Sequence, residues 1–256
     1  MSLPFEGQTI LITGAASGIG RATALKLHSL GAILYLVDVD FNGVGKTSEL
    51  CRSQPGGSPQ LKIDIEILDV ASSASVSKYI GARFEGPNRK IHHVFNCAGV
   101  NPTSYKLEET TDEYWDKLMS VNLRGVYNIT RATIPHMVSP GGSYVNVSSI
   151  CGLHPSANQA IYCATKFGLI GFSKSMALEL GPRGIRTNVV APGYIDTPTN
   201  AGIVKGGDAV ERMAKGNSLG RLGTPEEVAD VVAFLMGEGA RYMNGSVVEI
   251  DGGLKT

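Results

Sequence analysis

The sequence predicts an α/β fold in which a doubly wound parallel sheet carries helices on both of its faces. From Gln8 onward, short aliphatic and β-branched segments alternate with longer segments of helical character, which is the rhythm of a buried parallel sheet. The chain has 256 residues, of which 43% are hydrophobic, and this is enough to form one core. We therefore expect a single domain that spans residues 1–256.

Seven short segments have the length and composition of buried strands. They are Thr9–Thr13, Ile33–Val37, Leu61–Ile65, Ile91–Asn96, Ser143–Val147, Arg186–Val190 and Val247–Ile250. The segments between them are long enough for crossover connections, which are right-handed in parallel sheets. A doubly wound sheet of this kind binds its ligand at the carboxyl ends of its strands.

Two longer segments between the strands carry features of their own. Residues Thr111 to Met137 predict one long helix, which ends before the helix breaker Pro140. Residues 194–220 begin with breakers such as Pro198 and Gly202 and continue as a short helical pattern. Because loops after a strand's carboxyl end often close over a substrate, we expect this segment to be a mobile lid.

The charge of the chain argues against several classes of partner. Its 23 basic and 23 acidic residues cancel, and no run of like charge marks a surface for nucleic acid or an anionic membrane. No apolar segment is long enough to span a bilayer, and the N-terminal residues do not resemble a secretion signal. We expect a cytoplasmic protein whose partner is a small molecule.

The cysteines and histidines do not predict a metal centre or a disulfide framework. No Cys-x-x-Cys pair occurs and no two histidines are four residues apart, so free thiols and no metal site are expected. The four cysteines are Cys51, Cys97, Cys151 and Cys163.

A glycine-rich turn, Thr13 to Gly20, follows the first predicted strand and has the spacing G-x-x-x-G-x-G. A helix follows it. The unpaired N–H groups and partial positive charge of a helix N-terminus attract phosphate, and glycine lets the ligand approach the backbone. The turn therefore predicts a site for the pyrophosphate of a dinucleotide, although tight packing between strand and helix is an alternative explanation.

Asp38 directly follows the second predicted strand, eighteen positions after Gly20. A carboxylate there accepts hydrogen bonds from the adenosine ribose hydroxyls and repels a 2′-phosphate. Since Ser17 rather than a basic residue occupies the glycine turn, we expect NAD to be preferred over NADP. The alternative is that Asp38 and Asp40 begin the next helix as N-cap residues.

Tyr162 and Lys166 are four residues apart in a predicted helix, so their Cβ atoms should lie roughly 5 to 6 Å apart on one face. A free tyrosine has a pKa of about 10, and bringing it to about 7 requires ~4 kcal/mol of preferential phenolate stabilisation. The Lys166 ammonium is a natural source of it. Ser149, at the end of the fifth predicted strand, could bind the same substrate oxygen, and Ser148 is the competing serine.

With the glycine turn, these residues resemble the short-chain dehydrogenase/reductase family, and the resemblance extends from the first strand to Gly253. It implies a Rossmann-like domain with strand order 3-2-1-4-5-6-7. It also implies a catalytic tetrad of Asn122, Ser149, Tyr162 and Lys166. In that pattern the tyrosine is the acid/base, the serine orients the substrate, the lysine also binds the nicotinamide ribose, and the asparagine holds a water in a proton relay.

The glycine turn, Asp38 and the resemblance together predict the residues that contact cofactor and substrate. The cofactor-binding residues are Gly14, Ser17, Gly18, Ile19, Gly20, Asp38, Asp69, Val70, Asn96, Ala98, Gly99, Tyr162, Lys166, Pro192, Gly193, Ile195 and Thr197. The substrate-binding residues are Ser149, Cys151, His154, Asn158 and Tyr194. The resemblance implies that Asp69 and Val70 meet the adenine. Each of these polar residues could instead serve only structural hydrogen bonds.

The resulting expectation is an NAD(H)-dependent oxidoreductase that interconverts a secondary alcohol and a ketone. Apolar residues such as Ile203, Val204 and Met213 suggest a small lipophilic substrate of the terpenoid, steroid or polyketide type. Two alternatives remain open: a non-redox isomerase or epimerase, and a dinucleotide-binding protein without catalysis.

Assembly is a further expectation. Small residues such as Gly168 and Gly171 follow Lys166 and permit close contact between helices, and the resemblance implies a homo-oligomer, either a dimer or a homotetramer.

Overall fold

A seven-stranded parallel sheet lies at the centre of the protein, in the order β3-β2-β1-β4-β5-β6-β7. The computed structural model describes residues 3–54, 60–86, 90–101, 104–197 and 207–254. The strands are β1 (Thr9–Thr13), β2 (Ile33–Asp38), β3 (Ile63–Ile67), β4 (His93–Asn96), β5 (Ser143–Val147), β6 (Arg186–Pro192) and β7 (Val247–Ile250). The predicted fold class and strand order are confirmed.

Helices cover both faces of this sheet. They are α1 (Gly18–Ser29), α2 (Phe41–Ser53), α3 (Ser73–Phe84), α4 (Asp112–Met119), α5 (Gly125–Thr133), α6 (Ala160–Leu180), α7 (Gly207–Lys215) and α8 (Pro225–Met236). A π-helical turn, Ser120–Arg124, joins α4 to α5, and short 3₁₀ turns occupy Leu107–Glu109, Ile134–His136, Ile150–Gly152, Gly181–Arg183 and Glu238–Ala240.

The alternation of side chains along β1 divides the core into two layers. Ile10 and Ile12 pack with residues of α1, α2 and α8, whereas Leu11 packs with residues of α3, α5 and α6. Because successive side chains of a strand point to opposite faces, a short aliphatic run supplies both layers. The strand order reverses between β1 and β4, so their carboxyl ends open a crevice where a ligand can bind.

Two strand starts differ from the prediction. β3 begins at Ile63, two residues later than the predicted Leu61–Ile65, because its pairing with β2 starts opposite Leu34. β4 begins at His93, and Ile91 instead forms an isolated bridge with Met137. In both cases an aliphatic side chain has strand-like character, but the neighbouring strand offers no ladder partner at that position.

The single helix predicted for Thr111 to Met137 was wrong, since it is divided by the π-helical turn. Thr111 caps α4 by accepting a hydrogen bond from the Tyr114 N–H at 3.3 Å. The Ser120 hydroxyl donates to the carbonyls of Asp116 and Lys117, and such back-bonding often bends a helix. The turn places Asn122 at the irregular point, and π-turns are frequent at functional sites.

The predicted lid lies only partly within the described residues. Pro198, Gly202, Ile203 and Val204 lie outside them. The short helical pattern predicted later in the segment corresponds to α7. That this segment moves stays a prediction.

In the described part of the chain, no helix has the length and apolar character that a membrane span needs. The same residues contain no group of three or more His, Cys, Asp or Glu side chains that could hold a metal ion. All four cysteines have free thiols.

Candidate active site

A large cleft of about 1020 Å³ opens at the carboxyl ends of the central strands. It brings together most of the residues that the sequence predicted. On the cofactor side these are Gly14, Ser17, Gly18, Ile19, Asp38, Asp69, Val70, Ala98, Gly99, Pro192, Gly193, Ile195 and Thr197. On the substrate side they are Ser149, Cys151, His154, Tyr162, Lys166 and Tyr194.

The glycine turn combines an open anion site with tight packing. Gly14 has a φ of +70°, and a Cβ there would lie 2.7 Å from the Ala98 backbone nitrogen, so only glycine fits between β1 and the loop after β4. The side chain of Ser17 does not cap α1, and no acidic residue occupies the first turn of that helix. The helix N-terminus therefore lacks an internal anion and suits a phosphate group.

Gly20 does not line the cleft. A Cβ at this position would lie only 2.0 Å from the Gly14 carbonyl oxygen. Its absence of a side chain lets α1 pack directly on the turn. For this glycine, the close-packing explanation weighed from the sequence accounts for the geometry.

Asp38 is held at the edge of the glycine turn by two backbone groups. Its carboxylate accepts hydrogen bonds from the N–H groups of Ala16 at 3.0 Å and Asp40 at 3.1 Å. Asp40, in contrast, caps α2 by accepting from the Gly43 N–H at 3.0 Å. The N-cap role that the sequence left open for both aspartates therefore belongs to Asp40, while Asp38 lines the cleft.

Ser149 lies at the start of the 3₁₀ turn after β5 and faces the cleft. Its Oγ accepts a hydrogen bond from the Cys151 N–H at 3.1 Å, and its hydroxyl lies near enough to the Tyr162 phenol to lower the pKa of that phenol. The competing Ser148 donates its hydroxyl to the Lys166 carbonyl at 2.9 Å. This geometry favours Ser149 as the serine that meets a substrate.

Tyr162 and Lys166 are both buried on one face of α6. The Lys166 ammonium donates a hydrogen bond to the Val147 carbonyl at 2.9 Å. Burial raises the pKa of the Tyr162 phenol, which the Ser149 hydrogen bond partly opposes. Burial lowers the pKa of the Lys166 ammonium to about 8. The phenol is thus protonated at neutral pH. The neighbouring Lys166 ammonium is charged at neutral pH and loses its proton as the pH rises through about 8.

Asn122 lies outside the cleft lining, and its side chain is bound to the loop after β4. Its Nδ2 donates to the Val100 carbonyl at 2.9 Å, and its Oδ1 accepts from the Val100 N–H at 2.8 Å. A Cβ at Gly99 would lie 3.3 Å from the Asn122 Oδ1 and 3.8 Å from the Lys166 Nζ. The side-chain amide thus positions the loop beside Lys166, and the water relay stays a prediction.

Asn96 and Asn158 also lie outside the cleft. Asn96 is buried and donates to the Asn146 side chain at 2.8 Å, which in turn donates to Ser173 of α6 at 2.9 Å. Asn158 lines a separate small cavity, and its carbonyl accepts from the Tyr105 N–H at 2.9 Å. Asn158, which has a positive φ of 62°, therefore does not line the cleft, and its contact with substrate stays a prediction.

Sequence reasoning missed Gln159, which lines the cleft. Its Oε1 accepts from the Cys151 thiol at 3.3 Å, and its Nε2 donates to the Ser104 hydroxyl at 3.2 Å. The signal was available, since Gln159 precedes Tyr162 by about one helical turn. His154 lies at the rim, with its Nε2 3.9 Å from a Glu249 carboxylate oxygen.

Comparison with known proteins gives matches over nearly the whole chain. Residues 14–255 match the family model described as enoyl-(acyl carrier protein) reductase. The chain is 38% identical to 3-oxoacyl-[acyl-carrier-protein] reductase FabG of Thermotoga maritima, over 97% of this chain and 98% of that protein. It is 37% identical to levodione reductase of Leifsonia aquatica, over 97% of this chain and 94% of that protein.

A solved structure gives the same result in three dimensions. The crystal structure of a protein described as short-chain dehydrogenase/reductase SDR, glucose/ribitol dehydrogenase, from Brucella melitensis superposes with a TM-score of 0.89. The two sequences are 30% identical, and the match covers 100% of both chains.

Proposed function

The chain belongs to the short-chain dehydrogenase/reductase family, and we propose that it uses NAD(H) to interconvert a secondary alcohol and a ketone. Its relatives are oxidoreductases, so an oxidoreductase that works with a nicotinamide dinucleotide is the starting point. The choice of NAD, the substrate and the roles of the individual residues are the proposal.

The cleft residues fit a dinucleotide. The uncapped N-terminus of α1 would hold the pyrophosphate, and Asp38 would accept hydrogen bonds from the adenosine ribose hydroxyls. The observation that carries the preference for NAD is the Asp38 carboxylate. It is fixed by two backbone N–H groups, and the cationic Lys and Arg side chains among the described lining residues are Lys117 and Lys166. Among the described residues that line the cleft, α1 and α2 contribute no cation to offset the negative charge that a 2′-phosphate would meet. The guanidinium of Arg21 on α1 is instead hydrogen-bonded to the Ala16 carbonyl and the Thr47 hydroxyl.

Ser149 and Tyr162 would hold the substrate oxygen. Because the Ser149 Oγ already accepts from the Cys151 N–H, its hydroxyl acts as a donor, and a carbonyl oxygen bound between Ser149 and Tyr162 would take that proton in place of the phenol oxygen. In the direction of reduction, Tyr162 donates its proton to that oxygen, and in oxidation the phenolate removes the proton from the alcohol. The nicotinamide, when bound, supplies or accepts the hydride.

Lys166 would stabilise the charge that the proton transfer creates. Its Nζ lies 5.6 Å from the centre of the Tyr162 ring and is held there by the Val147 carbonyl. Once Tyr162 has given up its proton, the nearby ammonium lowers the energy of the phenolate, and burial strengthens this interaction.

The substrate side of the cleft supports a small, uncharged and lipophilic substrate. The apolar residues that line this side include Ile150, Met213, Leu222 and Leu254, and the polar residues include Ser104 and Gln159. Two relatives are named for carbonyl substrates, a 3-oxoacyl group in one case and levodione in the other. We place this substrate among neutral ketones and secondary alcohols of that kind, within one domain of residues 1–256 whose lid is residues 194–220.

The exposed face of α6 supports the proposal of a homo-oligomer. Phe167 is 44% exposed and Leu178 is 81% exposed, and Gly171, where an added Cβ would meet no atom within 4 Å, lies between them along the helix. Exposed apolar side chains beside a glycine allow close contact with a second copy of the chain. We propose a dimer or tetramer, and light scattering measures its mass directly.

We also propose a cytoplasmic location. The four free thiols agree with a reducing compartment.

A side-by-side fluorescence titration with NADH and NADPH tests the proposed cofactor, and a redox assay with secondary alcohols and ketones tests the reaction. Tight binding of NADH and weak binding of NADPH are expected, together with NADH formation from an alcohol. Preference for NADPH would overturn the role of Asp38. Product formed without net change in NADH would favour an isomerase or epimerase, and binding without any turnover would favour a non-catalytic protein.

A further inference from the structure

We infer that Asn128 of α5 positions the loop after β3 and thereby sets the affinity for the adenine half of the dinucleotide. Asn128 does not line the cleft, so it would act through the loop and not by touching the cofactor. The inference rests on the proposed function, because it assigns Asp69 and Val70 of that loop to adenine binding.

The contact between Asn128 and the loop is short and buried. The Asn128 side chain is 1% exposed. Its Nδ2 donates one hydrogen bond to the Val70 carbonyl at 2.9 Å and a second to the Ala71 carbonyl at 3.3 Å. Asp69 and Val70 line the cleft at this point of the loop. One amide group therefore fixes the backbone of the residues that would meet the adenine.

The helix surface around Asn128 is shaped to receive the same loop. A Cβ at Gly125, about one helical turn earlier, would lie 2.7 Å from the Val70 Cγ2. Val121, one turn earlier again, lines the cleft and packs in the same hydrophobic cluster as Val70. The start of α5 thus leaves space for Val70 and binds its backbone.

The two ends of the loop after β3 are held by hydrogen bonds to other parts of the fold. The Leu68 N–H donates to the Asp38 carbonyl at 2.9 Å, and Ser72 caps α3 by accepting from the Ser75 N–H at 3.2 Å. Asp69 accepts from the Ala71 N–H at 2.9 Å. Between these two ends, the hydrogen bonds from Asn128 connect the loop to α5. Without it the loop would have to be ordered when the cofactor binds, which reduces affinity.

Asn128 also carries a feature that a purely structural residue would avoid. Within the described residues its Oδ1 is buried without a hydrogen-bond partner, which is unfavourable. An aliphatic side chain would fill the space without this cost. The two hydrogen bonds to the loop are the contribution that an aliphatic residue could not make.

The test uses the two halves of the cofactor separately. In Asn128→Leu, the dissociation constants of NADH and of adenosine 5′-monophosphate should rise about tenfold, the effect of one or two lost hydrogen bonds. The dissociation constant of reduced nicotinamide mononucleotide and kcat at saturating NADH should stay unchanged. Thr130→Val is the matched control: Thr130 lies in the same helix, is 2% exposed and has a hydroxyl without a partner in the described residues. Both halves should bind this variant as they bind the wild type.

The inference would be overturned if Asn128→Leu bound both half-cofactors equally more weakly than the wild type, or bound adenosine 5′-monophosphate as tightly as the wild type. Turnover by the wild type would show that the proposed function still holds in that case. If Asn128→Leu does not fold, Asn128→Ala gives the same comparison, because the smaller side chain admits water. A wild-type protein that binds neither dinucleotide would refute the proposed function and this inference together.

Discussion

The ammonium of Lys166 lies 5.6 Å from the centre of the Tyr162 ring, one turn further along the same helix. The Val147 carbonyl at the end of β5 holds it there. The strand that leads into Ser149 therefore also fixes the lysine, so the sheet and α6 together determine the geometry around the proton donor Tyr162.

The rate of reduction should depend on the charge of Lys166. Its pKa lies at about 8 in the chain alone, so the ammonium is present below this pH and is lost as the pH rises through it. We expect kcat/KM for ketone reduction to fall above about pH 8, because kcat/KM reports the ionisation of the free enzyme. In Lys166→Arg the guanidinium stays charged. We therefore expect kcat/KM to be lower at every pH, and its decrease with rising pH to begin at a higher pH than in the wild type. An unchanged fall near pH 8 in that variant would assign the ionisation to another group.

Substitution of Ser149 should affect kcat, whereas substitution of the adjacent Ser148 should affect the free energy of unfolding. Ser149→Ala removes a hydrogen-bond donor to the reacting oxygen and should lower kcat about 10²- to 10³-fold. Ser148→Ala removes the bond to the Lys166 carbonyl and should lower the free energy of unfolding by about 1 kcal/mol with a small effect on kcat. Steady-state kinetics and urea unfolding measure the two effects. The reverse pattern would make Ser148 the catalytic serine.

Asp38 should control the choice between the two dinucleotides. Asp38→Asn removes the negative charge and should reduce the preference for NADH over NADPH about tenfold or more, since bonds to a charged group are the stronger ones. Asp40→Asn is the matched control, because it removes a nearby charge while an asparagine still caps α2. The preference should be retained there. Equal loss in both variants would point to a general effect of charge.

Gly20 should be required by packing and not by direct contact with the cofactor. A Cβ in Gly20→Ala would collide with the Gly14 carbonyl, so we expect a loss of about 1–3 kcal/mol in the free energy of unfolding and weaker NADH binding. Gly45→Ala, in α2, meets no atom within 4 Å and should raise that free energy by roughly 0.5–1 kcal/mol. Urea unfolding compares the two, and a stable Gly20→Ala protein with normal NADH binding would refute the packing argument.

Much of the fold could be predicted because its signals are local. The run Ile10 to Ile12 supplies both core layers, and the spacing of Tyr162 and Lys166 places both on one helix face. The start of β3 was two residues off because strand register is set by the neighbouring strand, here through Leu34. The aliphatic character of Leu61 contains no information about which residue of β2 lies opposite it.

The features of the site that the sequence did not predict are contacts between distant segments. Asn122 binds Val100 and Asn128 binds Val70, and neither partner is close along the chain. The π-helical turn at Asn122 likewise replaces a periodic helix that the sequence pattern favours. Such bonds arise only when the fold brings the segments together.

The central claim is that Tyr162 moves the proton while the nicotinamide moves the hydride. The most direct measurement compares Tyr162→Phe with the wild type in NADH titration and in turnover of a ketone substrate. We predict unchanged NADH affinity and a loss of turnover of about 10²- to 10⁴-fold, because phenylalanine preserves the ring but has no proton to donate. Turnover close to that of the wild type, with NADH still bound, would contradict the claim.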